Sequence, residues 1–471
     1  MAKRLEIVKI GDPVLRKRCR QVINVNDTVR ELLDSMILTM RKAHGVGLAA
    51  PQVGVPKRMI VVETPEGLYE FVNPELVRGE GSEIATEGCL SVPGQVGEVE
   101  RYARVCVTGL DREGKQIWLD SSGLLCRALQ HEMDHLDGVL FVDKAKEIRQ
   151  TAVPEGEERF LRVVFAGTPD FALPSLYSIL VEGHDICLVI TRPDKPAGRG
   201  MKMSIPAVKR FALNHRLPLC QPEQLRSEEL VRQIAELQPD VLVVVAYGKL
   251  IPEEITRLPR LGAINLHPSL LPRYRGAAPI QRAIINGDTV TGVSVIQLSP
   301  RMDAGDIILQ KDIEITLEDD YGSLSNKLAA LGAEALCEAL QKMAAGEVSL
   351  TPQDESQVTV APPIKPEDEL IRWSEGSSNI VNLVRALSPS PGAYTWRKGK
   401  KLKIFKMEHA PDVTMDGRPG ELRTVGQRLL IRASDGWVAP KIVQPEGGRK
   451  MSSEEYLRGH PVNNGELVGE V

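Results

Sequence analysis

Aromatic side chains are scarce: Phe, Trp and Tyr make up 4% of the 471 residues, so the cores must be built mainly from Leu, Val, Ile and Ala. The seven cysteines (Cys19, Cys89, Cys106, Cys126, Cys187, Cys220 and Cys337) are scattered and odd in number, which argues against a disulfide framework and fits a reducing cytoplasm. No apolar run approaches the roughly 18 residues that a membrane helix needs, so no membrane partner is expected. The opening MAKRLEIVKIGDP has no long apolar stretch and no small-residue cleavage site, and does not read as a secretory signal. No internal repeat is visible. The formal net charge is −4, with no overall cationic excess. Its distribution is uneven: −1 over residues 1–150, −8 over 151–371 and +5 over the last hundred, which contain RKGKKLKIFK (397–406). That segment reads either as a phosphate-backbone contact or as a solvated edge strand kept soluble by Lys.

Hydrophobic (42%) and charged (26%) contents are those of an ordinary globular chain, and the length suggests roughly two to four domains. TAVPEGEERF (151–160) is polar, with Pro and Gly, and precedes a fresh apolar strand, which marks a linker. Before it, strand-like runs at 58–64, 69–76 and 104–111 are accompanied by helical stretches at 27–43 and about 122–137, an α+β pattern. After it, apolar runs at 162–167, 185–191, 240–247 and 262–267 alternate with helical segments such as 228–238. This is a doubly wound, Rossmann-like α/β pattern with strands expected to be parallel, followed by a helix at about 321–345. PPIKPEDE (362–369) is a softer boundary. The β-rich tail, with KLKIFKM (401–407) and RLLIRAS (428–434), suits a small OB-like β-barrel. The expected division is therefore 1–150, a linker at 151–160, 161–361 and 362–471.

HEMDH (131–135) is the most informative motif. On a helix, residues i and i+4 share a face, so His131 and His135 can grip one metal ion with Glu132 beside them to move protons. Two histidines on a solvated helix is the other reading. A catalytic metal wants a third protein ligand and an open position, and Cys89 in EGCLS (87–91) can supply a thiolate, although a lone Cys is usually a small buried hydrophobe. GVGLAAPQ (45–52) offers a flexible glycine turn and the amide of Gln52, a donor for a developing oxyanion.

GVGLAAPQ, EGCLS and HEMDH, in this order, resemble the peptide deformylase family over nearly all of 1–150. The resemblance implies an α+β metallohydrolase with Cys89, His131 and His135 holding a metal, usually Fe(2+), replaceable by Zn, Ni or Co. It further implies Glu132 as acid/base, and Gln52 with the backbone N–H of Leu90 as oxyanion donors. Gly45 and Gly47 would shape the pocket rim, and Arg101 would lie near the peptide path. The implied reaction removes formyl from N-formylmethionyl nascent peptides. Coordination chemistry alone does not select iron, since zinc binds such ligands more tightly.

In GAINLHPSLLPRYRGAAPIQRAI (262–284), Asn265 and His267 sit at i and i+2, on one side of a strand end, and SPRMDAGDII (299–308) places Asp303 in a loop. An amide, an imidazole and a carboxylate make an acyl-transfer set, although a lone histidine is more often structural. NLHPSLLPRYRGAAPIQ with MDAGD resembles the folate-dependent formyltransferases over about 161–345. That resemblance implies catalytic Asn265, His267 and Asp303, a folate site including Ser269, Leu270, Leu271 and Pro272, and 10-formyltetrahydrofolate as co-substrate. AGTPDFA (166–172) and TRPDKPAGRGMKM (191–203) look like the methionyl-tRNA subgroup, with methionyl initiator tRNA as partner. Arg199 and Lys202 in a cationic loop, and Lys400 and Lys401 in the tail, are the expected tRNA contacts. AGTPDFA is not a GxGxxG fingerprint, so no nicotinamide site is read. A cytoplasmic, bifunctional enzyme working near the ribosome is expected. One half as a docking module, a true protease in the first half, or a small amine as formyl acceptor remain the alternatives.

Overall fold

A computed structural model describes residues 2–151, 160–197 and 202–469. Arg199 lies outside these, as does most of the expected linker. The chain forms two compact units, Met1–Leu242 with Leu258–Arg260, and Val243–Arg257 with Leu261–Val471.

The first unit begins with α1 (Asp27–Lys42), whose N-terminus is capped by Asn26, and β1 (Gly47–Ala49). There follow β2 (Met59–Thr64), β3 (Gly67–Glu80), β4 (Glu83–Cys89), β5 (Val92–Arg101), β6 (Arg104–Leu110), β7 (Gln116–Ser122), α2 (Gly123–Leu136) and β8 (Ile148–Gln150). They build an antiparallel five-stranded sheet, β1-β2-β3-β6-β7, and a three-stranded sheet, β4-β5-β8. Helix α2 buries Leu125, Ala128, Leu129, His131, Glu132, His135 and Leu136, the i, i+3, i+4 set of one face, and Leu129 shares a core with Ile60, Val62, Phe71 and Val107. A histidine pair and a carboxylate thus lie among the buried residues of this helix.

The α/β part comprises β9 (Arg162–Gly167), α3 (Leu173–Val181), β10 (Asp185–Ile190), β11 (Lys195–Ala197), β12 (Lys202–Ser204), α4 (Ala207–Asn214), β13 (Leu219–Cys220), α5 (Glu228–Leu237) and β14 (Val241–Val245). It continues through α6 (Glu253–Thr256), β15 (Ala263–His267), β16 (Arg275–Gly276), α7 (Pro279–Ile285), β17 (Val290–Gln297), β18 (Ile307–Glu314), α8 (Tyr321–Ala345) and β19 (Val360–Ala361). Seven strands form one sheet in the order β13-β10-β9-β14-β15-β17-β18. Strands β9, β10 and β13 pair in parallel, as their unbroken apolar runs lead one to expect. Beyond the four runs expected to be parallel, the sheet continues with antiparallel strands: β15 pairs antiparallel with β17, and β17 with β18, so the sheet is mixed. The segment 191–203, expected as a loop, contributes to the short antiparallel pair β11–β12.

The tail has α9 (Ser377–Ala386), β20 (Ala393–Arg397), β21 (Lys400–His409), β22 (Leu422–Val425), β23 (Arg428–Arg432), β24 (Trp437–Pro445), β25 (Met451–Ser452) and α10 (Ser453–Gly459). Its antiparallel sheet runs β20-β21-β24-β23-β22, with β25 on β24. Strand β21, which carries KLKIFK, is flanked on both sides, so the edge-strand reading of its lysines is corrected. Leu402, Ile404 and Met407 point into the core of this part while the lysines alternate with them. Among the described residues no helix is long and apolar enough to cross a membrane.

Candidate functional sites

In the first unit, Cys89 ends β4 and the two histidines come from α2. One ligand atom from each of Cys89, His131 and His135 lies within 4.8 Å of the others, with Cys89 Sγ 3.3 Å from His135 Nε2. His131 Nδ1 faces Glu87 Oε2 at 2.9 Å, which fixes the tautomer and leaves Nε2 for a ligand. Glu87 is buried and held by Arg101 (2.8 and 2.9 Å) and Arg127 (2.7 Å). Burial raises its carboxyl, but the hydrogen bonds from Arg101 and His131 outweigh this and hold it well below the usual carboxylate range. Arg101 also pairs with Asp134, and its side chain is 3% exposed. It therefore braces Glu87, and through it His131, from behind.

Glu132 is buried, and its Oε2 has no hydrogen-bond partner; burial pushes its carboxyl up to about 7. A carboxyl poised there can both take and return a proton near neutrality. His135 Nδ1 is also buried without a partner, and burial keeps that ring neutral. A thiol, two imidazoles with a nitrogen to spare and an unsatisfied carboxyl are the donor chemistry a tetrahedral divalent metal site takes, and the residues fit one.

Gln52 Oε1 accepts from the Ala49 N–H at 2.7 Å, so its amide group is turned toward Cys89 Sγ (3.5 Å) and Ser91 Oγ (3.3 Å). Leu90 follows Cys89 directly, and its carbonyl accepts from Lys9 Nζ at 2.9 Å. The glycines of GVGLAAPQ serve close approach rather than flexibility. A Cβ on Gly45 would lie 2.6 Å from Leu90 Cδ1, and one on Gly47 would lie 2.4 Å from Glu132 Oε1. Sequence reasoning missed Glu87, although it stands inside EGCLS. A glutamate on a short strand reads as solvated until burial is known.

In the second unit, Asn265 and His267 lie on one face of β15. The ring of His267 is buried, with Nε2 2.9 Å from the Tyr274 carbonyl and Nδ1 3.7 Å from Asp303 Oδ2. A carbonyl only accepts, so Nε2 carries the hydrogen and Nδ1 is the position that can gain or release a proton. Asp303 adopts φ 52° and accepts from the Gly276 N–H at 2.9 Å, while its own carbonyl accepts from Gln353 Nε2 at 2.8 Å. A left-handed aspartate is uncommon, and here its backbone is tied down on both sides of the carboxylate. Tyr274 and Gln353, which hold the imidazole and the aspartate loop, were not singled out from the sequence; their roles depend on backbone atoms no motif displays.

Residues 269–272 form a tightly bonded turn. Ser269 Oγ donates to the Arg273 carbonyl (2.7 Å), Leu271 N donates to Ser294 Oγ (3.0 Å), and the Leu271 carbonyl accepts from Gln310 Nε2 (2.9 Å). The Leu271–Pro272 peptide is cis. Leu270 is half-buried and packs where Gly292 leaves room. Of the expected cationic contacts, Lys202 falls on β12, Lys400 is exposed, and Lys401 Nζ lies 3.7 Å from the centre of the Tyr394 ring.

The polypeptide deformylase family model matches residues 4–151, the formyl transferase model residues 161–340, and the model of the formyl transferase C-terminal domain residues 363–461. The methionyl-tRNA formyltransferase of Moorella thermoacetica is 44% identical over 310 residues, 66% of this chain and 99% of that protein. That of Caldanaerobacter subterraneus subsp. tengcongensis is 43% identical over 309 residues, 65% of this chain and 100% of that protein. Among solved structures, a peptide deformylase from Legionella pneumophila is 41% identical, covering 31% of this chain and 87% of that one, with a TM-score of 0.30. The chain therefore belongs to two families in succession, the peptide deformylases over its first 150 residues and the methionyl-tRNA formyltransferases over the remainder.

Proposed function

We propose that this chain removes the formyl group from N-formylmethionyl peptides at one site, and at the other transfers formyl from 10-formyltetrahydrofolate to methionyl initiator tRNA. The division that goes with this reading is a metallohydrolase at 1–150, a linker at 151–160, a formyltransferase domain at 161–361 and an OB-like, tRNA-binding domain at 362–471. The observation that carries the first activity is the convergence of Cys89, His131 and His135 beside a buried, unpartnered Glu132. A divalent metal held by these three, Fe(2+) in our reading with Zn, Ni or Co as substitutes, supplies Lewis-acid activation of water and of the formyl oxygen. Glu132 takes the proton from the attacking water. Gln52 and the Leu90 N–H donate to the developing oxyanion. Glu132 then returns the proton to the departing nitrogen as the C–N bond breaks, leaving formate and a free amino terminus.

At the second site, the methionyl amino nitrogen attacks the formyl carbon, and Asn265 donates to the oxyanion. His267 Nδ1 takes the proton the amine loses, and Asp303 steadies the resulting charge. His267 then passes that proton to the folate nitrogen as its C–N bond to the formyl carbon breaks, and tetrahydrofolate leaves. Ser269, Leu270, Leu271 and Pro272 line the folate site, while Arg199, Lys202, Lys400 and Lys401 contact the tRNA backbone. Both activities belong in the cytoplasm near the ribosome, where their substrates arise.

The test measures formate release from a formyl-methionyl peptide and formyl transfer to methionyl-tRNA on the intact chain, with metal analysis. Glu132→Gln lowers formate release by about 10²- to 10⁴-fold and leaves formyl transfer intact; His267→Ala does the reverse. Loss of both activities in either variant would contradict the assignment, as would formate release that survives complete metal removal.

A further inference from the structure

Within the first unit, the turn that supplies Gly45 and Gly47 to the hydrolytic site is gripped by residues of the formyltransferase sequence. His44 Nδ1 faces the Val181 carbonyl at 3.0 Å, and its ring lies against Phe160, centroids 5.7 Å apart. Lys42 Nζ donates to the Gly183 carbonyl at 2.9 Å and sits 4.3 Å from the centre of the Phe160 ring. Gly183 has φ +71°, and a Cβ there would lie 2.8 Å from the Arg41 carbonyl, so the close approach requires glycine.

Beside this clamp lies a buried ion network. Arg41 binds Glu63 through two hydrogen bonds, of 2.8 and 2.7 Å, and His215 Nδ1 faces Glu63 Oε1 at 2.7 Å. Arg41 also donates to the His215 carbonyl at 2.9 Å. His215 is fully buried, stacked on Phe211 with centroids 3.9 Å apart, and Glu63 is 4% exposed. Burial raises the Glu63 carboxyl, but Arg41 and His215 outweigh it and keep it ionised. A buried charge with such partners is strongly destabilised by losing one of them.

Glu63 joins the network to the active site. Its backbone N–H donates to the Val46 carbonyl at 2.8 Å, and Val46 lies between Gly45, which packs on Leu90, and Gly47, which packs on Glu132. The path from His215 through Glu63 to Val46 therefore ends at the Glu132 carboxyl, which moves the proton, and at the side chain of Leu90, whose backbone N–H donates to the oxyanion. We propose that the formyltransferase half is a positioning partner for deformylation: His215, with the Val181 and Gly183 carbonyls, holds the 43–47 turn against Leu90 and Glu132. This rests on the roles proposed above for those two residues. His215, Val181 and Gly183 touch no reacting atom; they act through the turn.

The experiment uses the full-length, metal-loaded chain. For His215→Ala we expect kcat for formate release from a formyl-methionyl peptide to fall roughly tenfold, as misplacement by a fraction of an ångström does. KM should change by less than about twofold, metal content should be unchanged, and amide exchange at residues 43–47 should rise. His215→Asn, which keeps a donor near Nδ1, should restore kcat. His44→Ala, which removes the bond to Val181 from the other side, should lower kcat in the same way and keeps the test decisive if His215→Ala also loses formyl transfer. Unchanged kcat in His44→Ala and His215→Ala, or failure of His215→Asn to rescue, overturns the proposal. Glu132→Gln in the same assay separates this outcome from an error in the underlying site. If that variant keeps its activity, the site reading has failed; if it is inactive while the clamp variants are normal, only the positioning role has.

Discussion

Glu87 illustrates how a single residue acquires a task from its surroundings. It stands two positions before the Cys89 thiol, accepts from two arginines and faces the imidazole of His131. Partners of this kind orient metal-ligating histidines, and their loss typically costs about 10–100-fold in metal affinity. Glu87→Ala should therefore weaken metal retention by about that factor, measured by competition with a chelator at fixed pH. In this variant Arg127 loses its carboxylate partner and Arg101 keeps only Asp134, so a lowered melting temperature is expected as well. The candidate ligands themselves were legible: two histidines four apart on a helix share a face, and the thiol stood in a recognisable motif. The brace behind them was not, because burial of Glu87 and Arg101 follows from how β4 and β5 pack on α2.

At the scale of elements, the face of β15 that carries Asn265 and His267 depends on its neighbours. Helix α8 approaches this strand at Gly332, where a Cβ would fall 2.6 Å from Leu266 Cδ2. Gly332→Ala should overpack this contact and destabilise the second unit by about 1–3 kcal/mol, read as a lower urea midpoint, with formyl transfer reduced and formate release unaffected.

The start of α8 is held by Asp319. It accepts from the Thr316 N–H, Thr316 Oγ1, Ser323 Oγ and Lys327 Nζ at 2.8–2.9 Å and is 2% exposed. Burial raises its carboxyl, but these bonds, Lys327 foremost, bring it down to about 2. A carboxyl depressed on folding stabilises above its unfolded pKa, near 4, and loses that contribution as pH falls from about 4 to about 2; the amount at neutral pH is about 2–3 kcal/mol. Asp319→Asn should remove this contribution and flatten the acid limb of the stability–pH curve, followed by circular dichroism.

Strands such as 162–167 and the helix at 321–345 were readable from apolar runs and helical periodicity, and match their bounds closely. The direction of β17 and β18 was not readable, since a buried strand has the same composition whether its neighbour runs parallel or antiparallel.

For the molecule as a whole, one chain carries a site that installs formyl and a site that removes it. The two act on different carriers: a methionyl ester on a bulky tRNA, and the free end of a peptide. We expect the purified chain to release formate slowly from formyl-methionyl-tRNA and rapidly from a formyl-methionyl tripeptide. Comparable rates for the two would mean that the second activity cancels the first. The positive tail bears on the same scale: if Lys400 and the rest of that surface bind the tRNA backbone, formyl transfer should weaken steeply with added salt while formate release does not.

The order of residues alone determined the chemical inventory and its punctuation: a polar break near residue 150, helical and extended periodicities, HEMDH with a cysteine upstream, and NLHPS with an aspartate downstream. These features are local, set by side-chain type at fixed spacing, so they can be read without coordinates. Only the tertiary structure decided which charges are buried, where a glycine is needed for want of space, which strands turn antiparallel, and that one family's α3 turn grips the other family's glycine turn. Each of these depends on residues far apart in sequence sharing a volume from which water is excluded, and no local pattern encodes that exclusion.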